Sequence, residues 1–130
     1  MEKDKNLLSG KVIKAAFNVH NLLGAGFLEK VYHNAMLIEL KEMGLNAVSE
    51  YPANVFYKGK QVGEYYADLL VEEELLVEIK AIENLLPVHE VQLVNYLNAT
   101  NIEHGLLINF GSSVVAKHKY KTYSKQKAKA

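Results

Sequence analysis

Three charged side chains interrupt two apolar runs in YYADLLVEEELLVEIKA, residues 65–81: Asp68, Glu78 and Lys80. The runs flank the acidic triplet Glu72, Glu73 and Glu74 and read as a β-hairpin. With the turn centred on Glu73, Leu70 faces Leu76, Tyr66 faces Lys80 and Asp68 faces Glu78. Like charges opposed across a strand pair destabilise it. Two carboxylates ~5 Å apart raise each other's pKa or recruit a cation. Carboxylate oxygens suit Mg²⁺, which takes one or two of them together with waters and substrate phosphates. A salt bridge, Asp68–Lys80–Glu78 on a solvated strand face, accounts for the same residues. The hairpin alone does not separate the two readings.

Two helical stretches carry further polar groups. Glu29, in GFLEKVY, falls in the first turn of a helix, where a carboxylate complements the helix dipole. It also adjoins the stripe Tyr32, Met36 and Leu40, which could aim it over a sheet edge. His89, Gln92 and Tyr96 share one face of a later helix at spacings of three and four. Such stripes are mostly core or boundary positions, but amide and phenol groups also suit a water or a phosphate oxygen.

The elements that must position these groups follow from periodicity and breakers. Residues 9–23 read as a helix with Ile13, Ala16, Phe17, His20 and Leu23 on one stripe, ended by Gly24-Ala25-Gly26. A second helix runs from about Leu28 to Met43 and stops at Gly44. Strands are expected at 47–57, 61–71 and 75–81, with a tight turn at Lys58-Gly59-Lys60. In the hairpin, Ala67, Leu69 and Val71 with Leu75, Val77 and Ile79 form an apolar face that should pack on the helices. Pro87 opens a third helix through about Thr100. His104 to Phe110 reads as a buried strand and Val114 to Tyr120 as a last one. The order is α-α-β-β-β-α-β-β, an α/β chain without repeat or linker.

At 130 residues the chain suffices for one domain with a real core, and 49% hydrophobic with 23% charged residues fits a soluble globular protein. The absence of cysteine excludes a disulfide framework, a thiolate zinc site and an iron–sulfur cluster. No stretch approaches ~18 uninterrupted apolar residues and MEKDKN has no apolar signal core, so a cytoplasmic, non-membrane protein is expected. Every basic residue is lysine, and six lysines, Lys117, Lys119, Lys121, Lys125, Lys127 and Lys129, lie in the last fourteen residues. Residues 1–116 hold nine lysines against fifteen acids. A single domain with a basic tail at about 117–130 follows. The tail either tracks a polyanion or is a solvated end, with 114–121 as an edge strand guarded by lysines.

Asp68, then Glu78-Ile79-Lys80, then Gln92 and Tyr96 resemble the D…ExK…QxxxY signature of the PD-(D/E)xK nuclease superfamily, RecB-like branch. GFLEKVY resembles the GxxExxY signature of one small-protein family within it. VHNLLGAGFLEKVY, the stretch from Tyr57 to Leu97 and GLLINFG are similar to that family too, so the resemblance spans roughly residues 12–111. Departures are Ala25, where proline is frequent, and Tyr66-Ala67, where a basic residue is common.

The resemblance implies an αβββαβ core with a mixed central sheet flanked by helices. It implies metal ligation by Asp68, Glu78, the Ile79 main-chain carbonyl and Glu29, with His20 lining the site as a further metal residue; a satisfied boundary histidine accounts for His20 equally well. Lys80 would orient or help deprotonate the attacking water, and Gln92 and Tyr96 would support water, Lys80 or the phosphate. The implied activity is a Mg²⁺- or Mn²⁺-dependent nuclease hydrolysing DNA. The alternative is a non-catalytic nucleic-acid-binding or interaction module that keeps the fold. With so few basic residues before the tail, nucleic-acid contact is short, or a homodimer or protein partner supplies the rest.

Overall fold

In a computed structural model of the chain, residues 5–122 are described. Three helices and five strands follow in the order α1 Lys5–Leu23, α2 Glu29–Glu42, β1 Ala47–Tyr57, β2 Lys60–Val71, β3 Leu75–Lys80, α3 Pro87–Thr100, β4 His104–Phe110 and β5 Val114–Tyr120. The strands form one mixed sheet in the order β1-β2-β3-β4-β5. Only β3 and β4 are parallel, joined through α3, and the other neighbours are antiparallel. A parallel pair needs such a crossover, and its strands are covered on both faces. GLLINF is accordingly buried along its whole length.

Two apolar layers sandwich the sheet. On one face, Val12, Ala15, Ala16 and Val19 of α1 and Tyr32, Met36 and Leu40 of α2 pack on Leu69, Val77, Ile79, Leu106, Ile108 and Phe110. On the other, Leu93, Tyr96 and Leu97 of α3 meet Ala53, Ala67, Leu70, Leu76 and Leu107. The buried stripe of α1 is thus Val12, Ala15, Ala16, Val19, about one position off the expected Ile13–Phe17–His20 line. Phe17 is 46% exposed. The alanines let α1 lie close to its neighbours, which outweighs the larger but outward-facing phenyl ring. α3 is drawn equally close by Gly105, where a Cβ would stand 3.1 Å from a Leu93 methyl.

The expected hairpin exists, and Leu70 does pair with Leu76, but the β2–β3 ladder stops at Leu69–Val77. Ala67 belongs to the α3 layer and Leu69 to the α1–α2 layer, so strict alternation fails between them. Ala67 therefore packs on a helix, as anticipated, but not on the same face as Leu69 and Val71. On the neighbouring strand Glu50, between the partners of Leu69 and Ala67, has φ 56°, a left-handed conformation. This irregularity rolls β2 over at Asp68. Beyond it β2 pairs with β1 alone, as a two-stranded ribbon, and Tyr66 bonds Glu64 instead of facing Lys80.

The three C-terminal lysines among the described residues are placed differently from a free tail. Lys117 and Lys119 lie in β5 and both reach Glu90 of α3, at 3.1 and 2.7 Å. Lys121 reaches Asn101 at 2.7 Å and Glu103 at 3.9 Å. Residues 114–120 are thus a lysine-bearing edge strand, as one of the two readings held. Lys125, Lys127 and Lys129 lie outside the described residues. Among the described residues, no helix is long and apolar enough to cross a membrane.

Candidate active site

Where the β2–β3 ladder ends, two carboxylates take over its rungs. The Asp68 amide donates to Glu78 Oε1 at 2.7 Å, and the Ile79 amide donates to Asp68 Oδ2 at 2.7 Å. Both side chains thereby satisfy backbone donors that the fork would otherwise strand. The arrangement answers the charge conflict only in part. Glu78 is 6% exposed. Burial first, and Asp68 second, push its carboxyl up to about 8. Asp68 is also raised by burial, against the Ile79 amide, His33 and Lys80, which pull it down.

Glu29 stands at the mouth, in the first turn of α2. Its carboxyl is raised by desolvation, lowered by Lys80 and raised by Asp68, which places all three in one field. The loop that delivers it is built by Tyr32. The Tyr32 hydroxyl donates to the Gly24 carbonyl at 2.6 Å and accepts from the Phe27 amide at 3.3 Å. The ring stacks on Phe110 with centroids 4.5 Å apart. Gly26, at φ 102°, supplies the turn that a side chain resists. The glycine, acid and tyrosine of GFLEKVY thus act as one device: turn, carboxylate and anchor.

Lys80 ends β3 and bears on Glu29, Asp68 and Glu78 without an ion pair within 4 Å among the described residues. The salt bridge that was one of the two readings of the hairpin is therefore replaced by a shared field. The segment after Lys80 is pinned by buried Asn109, which accepts from the Ile82 amide at 3.0 Å and donates to its carbonyl at 2.8 Å. His20 is used beside this brace, its Nε2 2.9 Å from the Gly111 carbonyl. It makes no hydrogen bond or ion pair with Asp68, Glu78 or Glu29 among the described residues. The Ile79 side chain is core, so only its main chain reaches the fork.

On α3, Gln92 Nε2 donates to the Tyr96 hydroxyl at 2.9 Å. The Tyr96 phenol is raised by burial, then by Glu78. The pair therefore backs onto the carboxylates from the α3 side. His89 accepts from the Leu86 amide at 3.0 Å and acts electrostatically on Glu29. Sequence reasoning missed His33, whose Nδ1 is 3.7 Å from Asp68 Oδ1 and whose Nε2 is 2.9 Å from Ser49 Oγ. Its signal was its position four residues after Glu29, on the same side of α2. It also missed Tyr65, whose ring centroid is 5.9 Å from that of Tyr96.

Among the described residues, no three His, Asp or Glu side chains form a ready-made metal cage. The donor chemistry nonetheless fits a hard divalent cation. Two carboxylates converge, burial disfavours the ionised form of both and Asp68 further disfavours that of Glu78, and among the described residues no cationic side chain pairs with both. Two acid oxygens, with waters and phosphate, is the set Mg²⁺ commonly takes.

The fold is similar to known structures. The crystal structure of SSO0001 matches with TM-score 0.57 and 20% identity over 77% of this chain, which spans 55% of the length of that one. An alkaline exonuclease, LHK-Exo from Laribacter hongkongensis, matches with TM-score 0.53 and 12% identity, covering 94% of this chain and 73% of that one. No curated protein matches the sequence. The model of the PD-(D/E)XK nuclease superfamily matches residues 6–122, and the chain belongs to that superfamily.

Proposed function

We propose that the chain is a metal-dependent nuclease that hydrolyses phosphodiester bonds of DNA, of the GxxExxY kind by its GFLEKVY stretch, acting in the cytoplasm. Membership of a superfamily that generally uses divalent ions supports this reading. The observation that carries it is the Asp68–Glu78 pair, held face to face by two 2.7 Å backbone hydrogen bonds although both carboxyls are pushed up. Asp68 and Glu78, with the Ile79 carbonyl and Glu29, would hold Mg²⁺ or Mn²⁺. When bound, the ion polarises the scissile phosphate and lowers the pKa of water. Lys80, at the end of β3, orients the attacking water and balances charge developing on the phosphate. Gln92 and Tyr96 hold that water or a phosphate oxygen from the α3 side. His20 acts at one remove, through Gly111. The acidic site and the tied lysines leave room for a second copy or a protein partner to supply backbone contacts.

The experiment is Lys80→Ala. It should keep Mn²⁺ affinity, since Lys80 is no ligand, and lose cleavage of labelled DNA by more than about a hundredfold. Equal cleavage by both proteins sinks the assignment. A wild type that binds DNA and never cuts it with any divalent ion is a binding module instead.

A further inference from the structure

Tyr65 is held in place yet presents its ring to solvent. It is 48% exposed. A Cβ on Gly63, two residues earlier on the same face of β2, would stand 3.0 Å from Tyr65 Cε2, so the ring lies across a strand position left bare. On its other side Tyr96 sits at 5.9 Å between centroids, tilted by 37°. Tyr96 is in turn tied to Gln92 and lies in the field of Glu78 and Asp68. The path Tyr65–Tyr96–Glu78 thus joins an open aromatic face to the carboxylates. Asp68 is three residues further along the same strand. In the other direction the ribbon leads to Lys58 and Lys60 at its turn.

Resting on the nuclease reading above, we propose that Tyr65 is a base-stacking platform and that the substrate is a DNA strand with an unpaired base beside the scissile phosphate. A base inside a duplex has both faces covered by its neighbours. The interior of a duplex offers no face to a ring fixed on the protein; a single strand offers one at every base, and a duplex only at its terminal or frayed pair. Stacking of this kind is indifferent to base identity, which suits a site with no arginine to read base edges. Tyr65 is a specificity residue, and Gly63 and Tyr96 are its positioning residues.

The test uses the full chain, a single-stranded oligonucleotide carrying 2-aminopurine, and the same probe inside a blunt duplex, with Ca²⁺ added so that the strand stays whole. Wild type should quench the single-stranded probe and not the duplex. Tyr65→Ala should lose the quench and bind the single strand about tenfold more weakly. Tyr65→Phe should keep both, because the ring and not the hydroxyl does the stacking. Gly63→Ala, which displaces the ring, should reduce the quench with little change in Tm. Unchanged quenching and affinity in Tyr65→Ala overturn the proposal, as does equal binding of single strand and duplex by wild type. Quenching by a wild type that cuts nothing with Mg²⁺ or Mn²⁺ supports the platform and sinks the nuclease. Cleavage with Tyr65-independent binding does the reverse.

Discussion

Asp68 and Glu78 face each other across the fork of β2 and β3 through a relay: the Asp68 amide donates to Glu78, and the Asp68 carboxylate accepts from the amide next to Glu78, each at 2.7 Å. One oxygen of each acid is spent on aiming the side chain. The pair is directed by its own backbone.

Metal should therefore stabilise the chain. Saturating Mn²⁺ is expected to raise Tm, since a ligand of the native state at a hundred times its Kd adds about 2.7 kcal/mol. Asp68→Ala and Glu78→Ala should each abolish the shift and the calorimetric binding signal. A wild-type Tm indifferent to Mn²⁺ would contradict a site assembled in advance.

The metal-free protein should lose stability as pH rises. The Glu78 carboxyl is raised from 4.5 to about 8, so between those values the folded state holds a proton that the unfolded chain has released. Stability from this group is full below about pH 4.5 and is lost by about pH 8. Asp68 and Glu29, also raised, act with the same sign. Denaturation midpoints of apo protein across this window should fall, and Glu78→Gln should flatten the fall. A midpoint that climbs from pH 5 to 8 would overturn the account.

His33 bridges Asp68 and Ser49 from α2. Partners that orient a ligand usually matter about ten- to a hundredfold in metal affinity. His33→Ala is expected to weaken Mn²⁺ about tenfold by calorimetry while leaving the melting curve close to wild type. Unaltered affinity would reduce His33 to an anchor of β1.

Glu90 holds Lys117 and Lys119 against α3, and their hydrogen bonds keep its carboxyl below the usual range. Glu90→Ala should release both ammonium groups. The salt dependence of duplex binding should then steepen, by roughly 0.9 per new phosphate contact. A slope identical to wild type would show that these lysines never reach the backbone. Deleting residues 123–130 alone should leave Mn²⁺ binding untouched.

The strands and the third helix were legible because their signals are local: Pro87 opening α3, glycine stops, and an unbroken apolar run in β4. The acid pair was legible for the same reason, since turn register fixes which residues oppose. What escaped depends on contacts distant in sequence. Ala67 changes faces because of an irregularity beside Glu50, seventeen residues away. His33 and Tyr65 gain meaning only once α2 and α3 close on the fork. The buried line of α1 followed small residues that permit close approach, which hydrophobicity alone ranks below Phe17.

The fork has a mechanical side. Residues 51–66 form a ribbon of two strands, and a lone hairpin is marginal in water. Its cohesion is borrowed from α3 through Tyr51, Ala53 and the Tyr65–Tyr96 contact. Amides of this arm should exchange with deuterium well ahead of those in β3 and β4, as a separate cooperative unit. A strand lodged on the arm would slow that exchange. The cantilever would then report occupancy to the carboxylates through the hinge at Asp68.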